Sequence, residues 1–168
     1  MKKLTLAATA IVAATVTSAA LAATSTSTFQ VLINVAKACS VTAGAGSNIN
    51  FGTVDSSATG LTANSNISVT CSKSTPYNVG LLPSNNSTTG AGVMAPAVAG
   101  PDTVAYQLRS VSATGPVWGS TATPTAVGNG VAGTGTGAAQ TIPVFATIAN
   151  ANVTPGAYAD TVTVQVNY

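Results

Sequence analysis

The 168-residue sequence has no histidine, and all three of its acidic residues are aspartate. Charged residues make up only 5% of the chain, and aromatic residues another 5%. These shortages exclude several functions. Without histidine there is no general base tuned to neutral pH, and the usual nitrogen ligand for zinc or copper is missing. Asp55, Asp102 and Asp160 are scattered and flanked mostly by small residues, so nothing in the sequence pairs carboxylates for acid–base work. Serine and threonine are plentiful, but a hydroxyl nucleophile needs an activating base. The expectation is a non-enzyme with no metal, no cofactor and no small-molecule substrate.

The charge that exists is also poorly placed for binding polyanions. Two of the five basic residues, Lys2 and Lys3, stand at the start of the chain. After them, Lys37, Lys73 and Arg109 balance the three aspartates. Three separated cations make no phosphate-binding patch, so nucleic acid is excluded, and charge-driven membrane binding with it. A nearly uncharged surface repels its own copies weakly and favours association.

Met1-Lys2-Lys3, a short apolar run from Leu4 to Leu21, and Ala20-Leu21-Ala22 have the layout of a secretory signal peptide. A membrane anchor is the competing reading. Thr5, Thr9, Thr15, Thr17 and Ser18 interrupt the run, whereas a spanning helix needs about 20 mainly apolar residues. The expected division is a signal peptide at 1–22, an N-terminal segment at 23–37 and one domain at 38–168. In an exported chain, Cys39 and Cys71 are most simply one disulfide, with free thiols or a metal pair as alternatives. Such a bridge closes a loop of roughly 30 residues, worth on the order of 3–4 kcal/mol in the chain-entropy account.

Outside the signal no long stretch has helical periodicity. Short alternating segments separated by Gly, Pro, Asn and Ser indicate an all-β sandwich. Strands are expected at Cys39–Thr42, Ile67–Cys71, Pro76–Leu81, Val104–Leu108, Thr141–Ile148 and Tyr158–Tyr168. Phe51 is a candidate core residue, and Cys71 shares the inward face of Ile67 and Val69. Pro143 removes a ladder donor and suggests an edge or a bulge. Trp118 is expected to pack over one edge of the core, with sugar stacking as the competing role. Residues 83–102 and 119–140 read as long loops. In the second, Gly128, Gly130, Gly133, Gly135 and Gly137 sit among Thr and Ala, without the helix and Lys that a phosphate-binding loop requires.

The two ends of the body form a pair. In Phe29–Val35 the side chains of Phe29, Val31, Ile33 and Val35 alternate with Gln30, Leu32 and Asn34, placing four large apolar groups on one face of an extended chain. Only Ser- and Thr-rich sequence precedes them after the signal. At the other end, Val162, Val164, Val166 and Tyr168 share one face of a strand that finishes at the last residue. An immunoglobulin-like sandwich ordinarily has a seventh strand after that point. A surplus strand at the start and a vacancy at the end suggest strand addition between copies, with an exposed edge as the template. The plainer reading is an ordinary first strand and an ordinary last strand in a self-contained sandwich.

The ordered set of Phe29–Val35 before Cys39, Asn50-Phe51-Gly52, Val69-Thr70-Cys71-Ser72, Pro76-Tyr77-Asn78-Val79, Val104–Leu108, Trp118-Gly119 and Pro155–Val162 resembles the spore coat protein U domain family. Within it the set resembles the subunits of archaic, Csu-type chaperone–usher pili. The resemblance implies an incomplete immunoglobulin-like fold lacking its last strand. It implies a periplasmic chaperone that lends a strand, an outer-membrane usher, and identical or homologous pilus subunits as partners. Carried over by position, Phe29, Val31, Ile33 and Val35 become donor residues. Cys39–Cys71 becomes the structural disulfide, and Val162, Val164, Val166 and Tyr168 become one wall of the acceptor groove. The implied function is a shaft subunit of a surface pilus for attachment and biofilm formation, since a tip subunit usually carries an extra binding domain. The alternative is a monomeric secreted coat protein or adhesin that binds through loops 83–102 and 119–140, with Val93 and Met94 exposed.

Overall fold

The computed structural model describes residues 23–168, so the signal-peptide reading of 1–22 lies outside the described residues. Nine strands follow one another: β1 (Cys39–Thr42), β2 (Thr59–Cys71), β3 (Pro76–Pro83), β4 (Ala91–Pro96), β5 (Val104–Arg109), β6 (Val131–Thr134), β7 (Ala139–Asn150), β8 (Tyr158–Ala159) and β9 (Val162–Asn167). A single 3-10 turn, Ala45–Ser47, interrupts the chain after β1. The larger sheet has the order β1-β2-β7-β5-β4-β8 and the smaller β6-β3-β9, with every pairing antiparallel. The result is an all-β, immunoglobulin-like sandwich. Among the described residues no helix is long and apolar enough to cross a membrane.

Period-2 alternation decides which side chains are inside. Ile67, Val69 and Cys71 of β2, Tyr77, Val79 and Leu81 of β3, Val104, Tyr106 and Leu108 of β5, and Val144, Ala146 and Ile148 of β7 are all buried. Cys39 stands directly opposite Cys71 in the β1–β2 ladder, and the two are disulfide-bonded. The bridge therefore joins neighbours within one sheet.

In both sheets a tyrosine lies across a glycine on the adjacent strand. Tyr106 pairs with Gly92, and Tyr77 with Gly133. A Cβ on Gly92 would sit 2.0 Å from the Tyr106 ring, and one on Gly133 2.3 Å from the Tyr77 ring. Glycine is needed at both places because the ring occupies the space of a side chain, an arrangement that also restores apolar cover to a glycine in a strand.

Several expectations need correction. Residues 83–102 are not one loop: β4 lies inside them, and Met94 packs against the core instead of standing free as a surface contact. Residues 119–140 are not unstructured either. They contain β6 and the start of β7. The chain before β6 also lies against the smaller sheet, where the Leu81 amide donates to the Gly119 carbonyl at 2.8 Å and the Asn78 side chain donates to the Thr123 carbonyl at 2.8 Å. The strand expected at Tyr158–Tyr168 is two strands, because at Asp160–Thr161 the chain leaves β4 in the larger sheet for β3 in the smaller. Pro143 does not mark an edge strand, since β7 lies between β2 and β5. The β5 ladder reaches only Phe145–Thr147, however, so Pro143 sits where β7 has a single neighbour and a missing donor costs little. Trp118 is fully buried, at 0% exposure, and its indole N–H donates to the Val79 carbonyl at 2.8 Å. It offers no face on which a sugar could stack.

Asn129 fixes the glycine-rich segment. Its side-chain oxygen accepts from the Thr121 amide at 3.0 Å and from the Thr121 hydroxyl at 2.8 Å, while its amide nitrogen donates to the Thr88 carbonyl at 2.8 Å. Asn129→Ala removes all three bonds. The expected loss is about 1–3 kcal/mol of unfolding free energy, read from the urea midpoint at unchanged m-value.

Candidate functional site

The sandwich is open on one side. In the smaller sheet β9 is an edge strand, paired only with β3. Beside it a cleft of about 520 Å³ reaches between the sheets, floored by Ile67, Leu81, Leu108, Val144 and Ala146 and walled by Val162 and Val164. A second opening of about 710 Å³ is lined by Leu61, Val104 and Ile148. Ile49, Asn50, Phe51, Met94 and Tyr158 border both openings. Side chains of this kind ordinarily line a closed core.

The segment at 49–52 has the form of a strand without a partner. Ile49 and Phe51 are half-buried against the core, while Asn50 and Gly52 are exposed. No ladder is formed there, and the Gly52 amide bonds only locally, to the Asn50 side-chain oxygen at 2.8 Å. The cleft is thus lined both by β9 residues and by this unladdered segment.

A hydrogen-bonded cluster around Tyr106 and Asp160 also lines the cleft. The Tyr106 hydroxyl donates to Asp160 Oδ2 at 2.6 Å, and the Thr161 amide donates to Asp160 Oδ1 at 2.7 Å. Burial pushes the Asp160 carboxyl up. Hydrogen bonds from the Ser84 side chain, Tyr106 and the backbone amides of Thr161 and Ser84 outweigh that effect and hold it below the usual carboxylate range. Burial, and then the bond to Asp160, push the Tyr106 phenol far above its ordinary value, so it stays a neutral donor. Nothing in this set has the geometry of a nucleophile with its base, and no group of three or more metal-ligating side chains occurs among the described residues.

The residues singled out in the sequence fall into three sets. Phe29, Val31, Ile33 and Val35 are 77–88% exposed and belong to no strand in this chain. Val162 and Val164 line the cleft. Val166 packs against the core opposite Val79, outside the cleft lining, and Tyr168 stands at 39% exposure with the Lys37 Nζ 5.7 Å from its ring centre. Of the four side chains expected to share one wall, the cleft lining thus includes Val162 and Val164 and leaves out Val166 and Tyr168. Sequence reasoning missed Met94, Tyr106 and Tyr158 as lining residues. Their alternation was visible only at Tyr106, and nothing local marks the other two as neighbours of the cleft.

A family model, the Spore Coat Protein U domain, matches residues 25–165. A chain in the crystal structure of the CsuC–CsuE chaperone-tip adhesion subunit pre-assembly complex, from the archaic chaperone-usher Csu pili of Acinetobacter baumannii, is 25% identical with a TM-score of 0.53. That alignment covers 80% of this chain and 40% of the other. A chain from a structure described as a chaperone-tip adhesin complex vital for activation of CFA/I fimbriae biogenesis aligns at 11% identity and a TM-score of 0.44, over 77% of this chain and 42% of the other. The chain thus spans about two fifths of the length of these solved relatives. No curated protein matches. The family match covers most of the sequence, and the chain belongs to the Spore Coat Protein U domain family, a family of structural and non-enzymatic proteins.

Proposed function

We propose that this chain is a subunit of a surface pilus, built by donation of one copy's N-terminal strand into the cleft of the next. The open core carries the reading: Ile67, Leu81, Leu108 and Val144 line a cleft beside an edge strand. Completing the sandwich requires an extended segment with alternate apolar side chains. Phe29, Val31, Ile33 and Val35 have that pattern and are exposed in the single chain. Main-chain hydrogen bonds to β9 would supply affinity, and the alternate side chains would supply fit. Burying four such groups is worth on the order of 6–12 kcal/mol at 1.5–3 each, offset by the cost of ordering the Ser/Thr-rich segment at roughly 1–2 kcal/mol per residue.

In this reading Val162 and Val164 form the acceptor wall, and a periplasmic chaperone fills the cleft until an outer-membrane usher exchanges its strand for a subunit's. The 25%-identical relative, whose description names a chaperone and a subunit of an archaic chaperone-usher pilus, supports the assignment. Export and display on the cell surface follow, with the chain in the fibre shaft and the fibre serving attachment and biofilm formation. The competing function is a monomeric surface coat protein. Electron microscopy of cells with and without this gene separates the two. Fibres lost with the gene and restored by it support the subunit; a surface without fibres in both cases overturns it.

A further inference from the structure

Residues 151–161 carry the chain from the end of β7 through β8 to β9, and they border both openings of the cleft. Their ladder is minimal. β8 pairs with β4 only at Ala95–Ala159 and Pro96–Tyr158, and two more backbone bonds tie the segment down, from the Ala97 amide to the Ala157 carbonyl at 2.8 Å and, at its start, from the Ala151 amide to the Ala58 carbonyl at 2.9 Å. Two carboxylates fasten the segment on either side of that short pairing. On one side Asp102 Oδ2, in the turn between β4 and β5, accepts from the Thr154 amide at 2.9 Å and from the Thr154 hydroxyl. On the other, Asp160 accepts from Tyr106, whose ring reaches across β4 over Gly92.

We propose that residues 151–161 are a carboxylate-latched wall of the strand-binding cleft, and that protonating Asp102 and Asp160 frees the wall and loosens a strand held beside it. The proposal rests on the strand-accepting reading of the cleft.

Both latches are carboxylates held by neutral donors. The titratable group touching Asp160 is the Tyr106 phenol, with the Ser84 and Thr161 donors completing its surroundings. On the other side the Tyr158 phenol bonds the Thr154 carbonyl at 2.8 Å, and Thr154 is the partner of Asp102. No cation contributes to either latch. Hydrogen bonds from Thr154 hold Asp102, like Asp160, below the usual carboxylate range. A carboxyl depressed in the folded state contributes stability above its unfolded value of about 4 and loses it as pH falls through the folded value. The latches are therefore closed at neutral pH and open in acid. Because the chain has no histidine, nothing of that type titrates between about pH 5 and 8.

Hydrogen exchange on the whole chain after signal removal, corrected for intrinsic rates, tests this between about pH 6 and pH 3. A labelled peptide with the sequence of residues 23–37 reports strand retention over the same range. The expected result is that protection of 151–161 falls about tenfold for each unit by which a latch is depressed, while β2 and β7 stay protected, and that peptide release quickens in the same window. The D102N/D160N variant should lose the pH dependence. Y106F keeps the ring over Gly92 but drops the hydroxyl, and should move the transition to higher pH. Unchanged protection of 151–161 down to pH 3, or a dependence that survives in D102N/D160N, overturns the latch. Failure of the peptide to bind at any pH strikes the strand-accepting reading instead, and the exchange data still decide whether the wall is latched.

Discussion

Ile33→Asp is expected to abolish assembly of this chain into fibres while leaving its folded body intact. Ile33 is 88% exposed and belongs to no strand, so the change removes no core contact from the isolated domain. In the proposed assembly the whole cost falls on the joint between copies. There the variant loses the burial of one large aliphatic group, about 1.5–3 kcal/mol. It also brings a carboxylate against apolar floor residues, at an effective cost of several kcal/mol for an unpaired ion. A combined loss of only about 4 kcal/mol corresponds to a factor on the order of a thousand in the affinity of one joint. A linear polymer repeats that loss at every subunit. Unheated gels of wild-type protein should show ladders of high mass, and Ile33→Asp should run as a single band with Cys39 and Cys71 still protected from thiol labelling. Ile33→Val removes one methylene and should keep the ladder. A full ladder from Ile33→Asp would remove residues 29–35 from the joint.

The alternation at Phe29–Val35 is legible in the sequence because a period of two needs no partner to be recognised. The same holds for β2, β3, β5 and β7, where apolar residues at every second position correctly identify the buried face. Alternation cannot reveal which strand is the neighbour. Through Tyr158–Asn167 the pattern continues, yet the chain changes sheets at Asp160–Thr161, and two strands were accordingly read as one.

Two further errors have another source. β4 was hidden because its core-facing position at Gly92 has no side chain; the space is taken by Tyr106 from the next strand. A local scan scores Gly92 as a break, although the cross-strand ring is the reason for the glycine. The segment before β6 was read as loose because polar networks have no hydrophobic period. Asn129 binds Thr88 and Thr121, which are 41 and 8 residues away, and no spacing rule connects them. The lining of the cleft suffered in the same way: Phe51 was legible as apolar, but Met94 and Tyr158 are brought together only by the pairing of β4 with β8, strands far apart in the sequence.

Trp118, expected from the sequence to pack over one edge of the core, is the side chain whose removal should have the largest consequence for stability. It is fully buried, its indole N–H donates to the Val79 carbonyl at 2.8 Å, and its own amide donates to the Leu108 carbonyl at 2.9 Å. One side chain thus joins the segment after β5 to the centre of β3 in the opposite sheet. Trp118→Ala should cost about 3–5 kcal/mol for the lost packing and the cavity left behind. Leaving the Val79 carbonyl without its indole donor adds about 1–3 kcal/mol. Together these reach the lower part of the 5–15 kcal/mol that is typical of a whole domain. The variant should be largely unfolded at 37 °C or melt far below the wild type, read by far-UV circular dichroism because Trp118 is the only tryptophan. Trp118→Phe refills much of the space without the N–H donor and should lose about half as much. A Trp118→Ala midpoint within the ordinary scatter of surface substitutions, about 0.5 kcal/mol, would mean that this side chain does not join the two sheets.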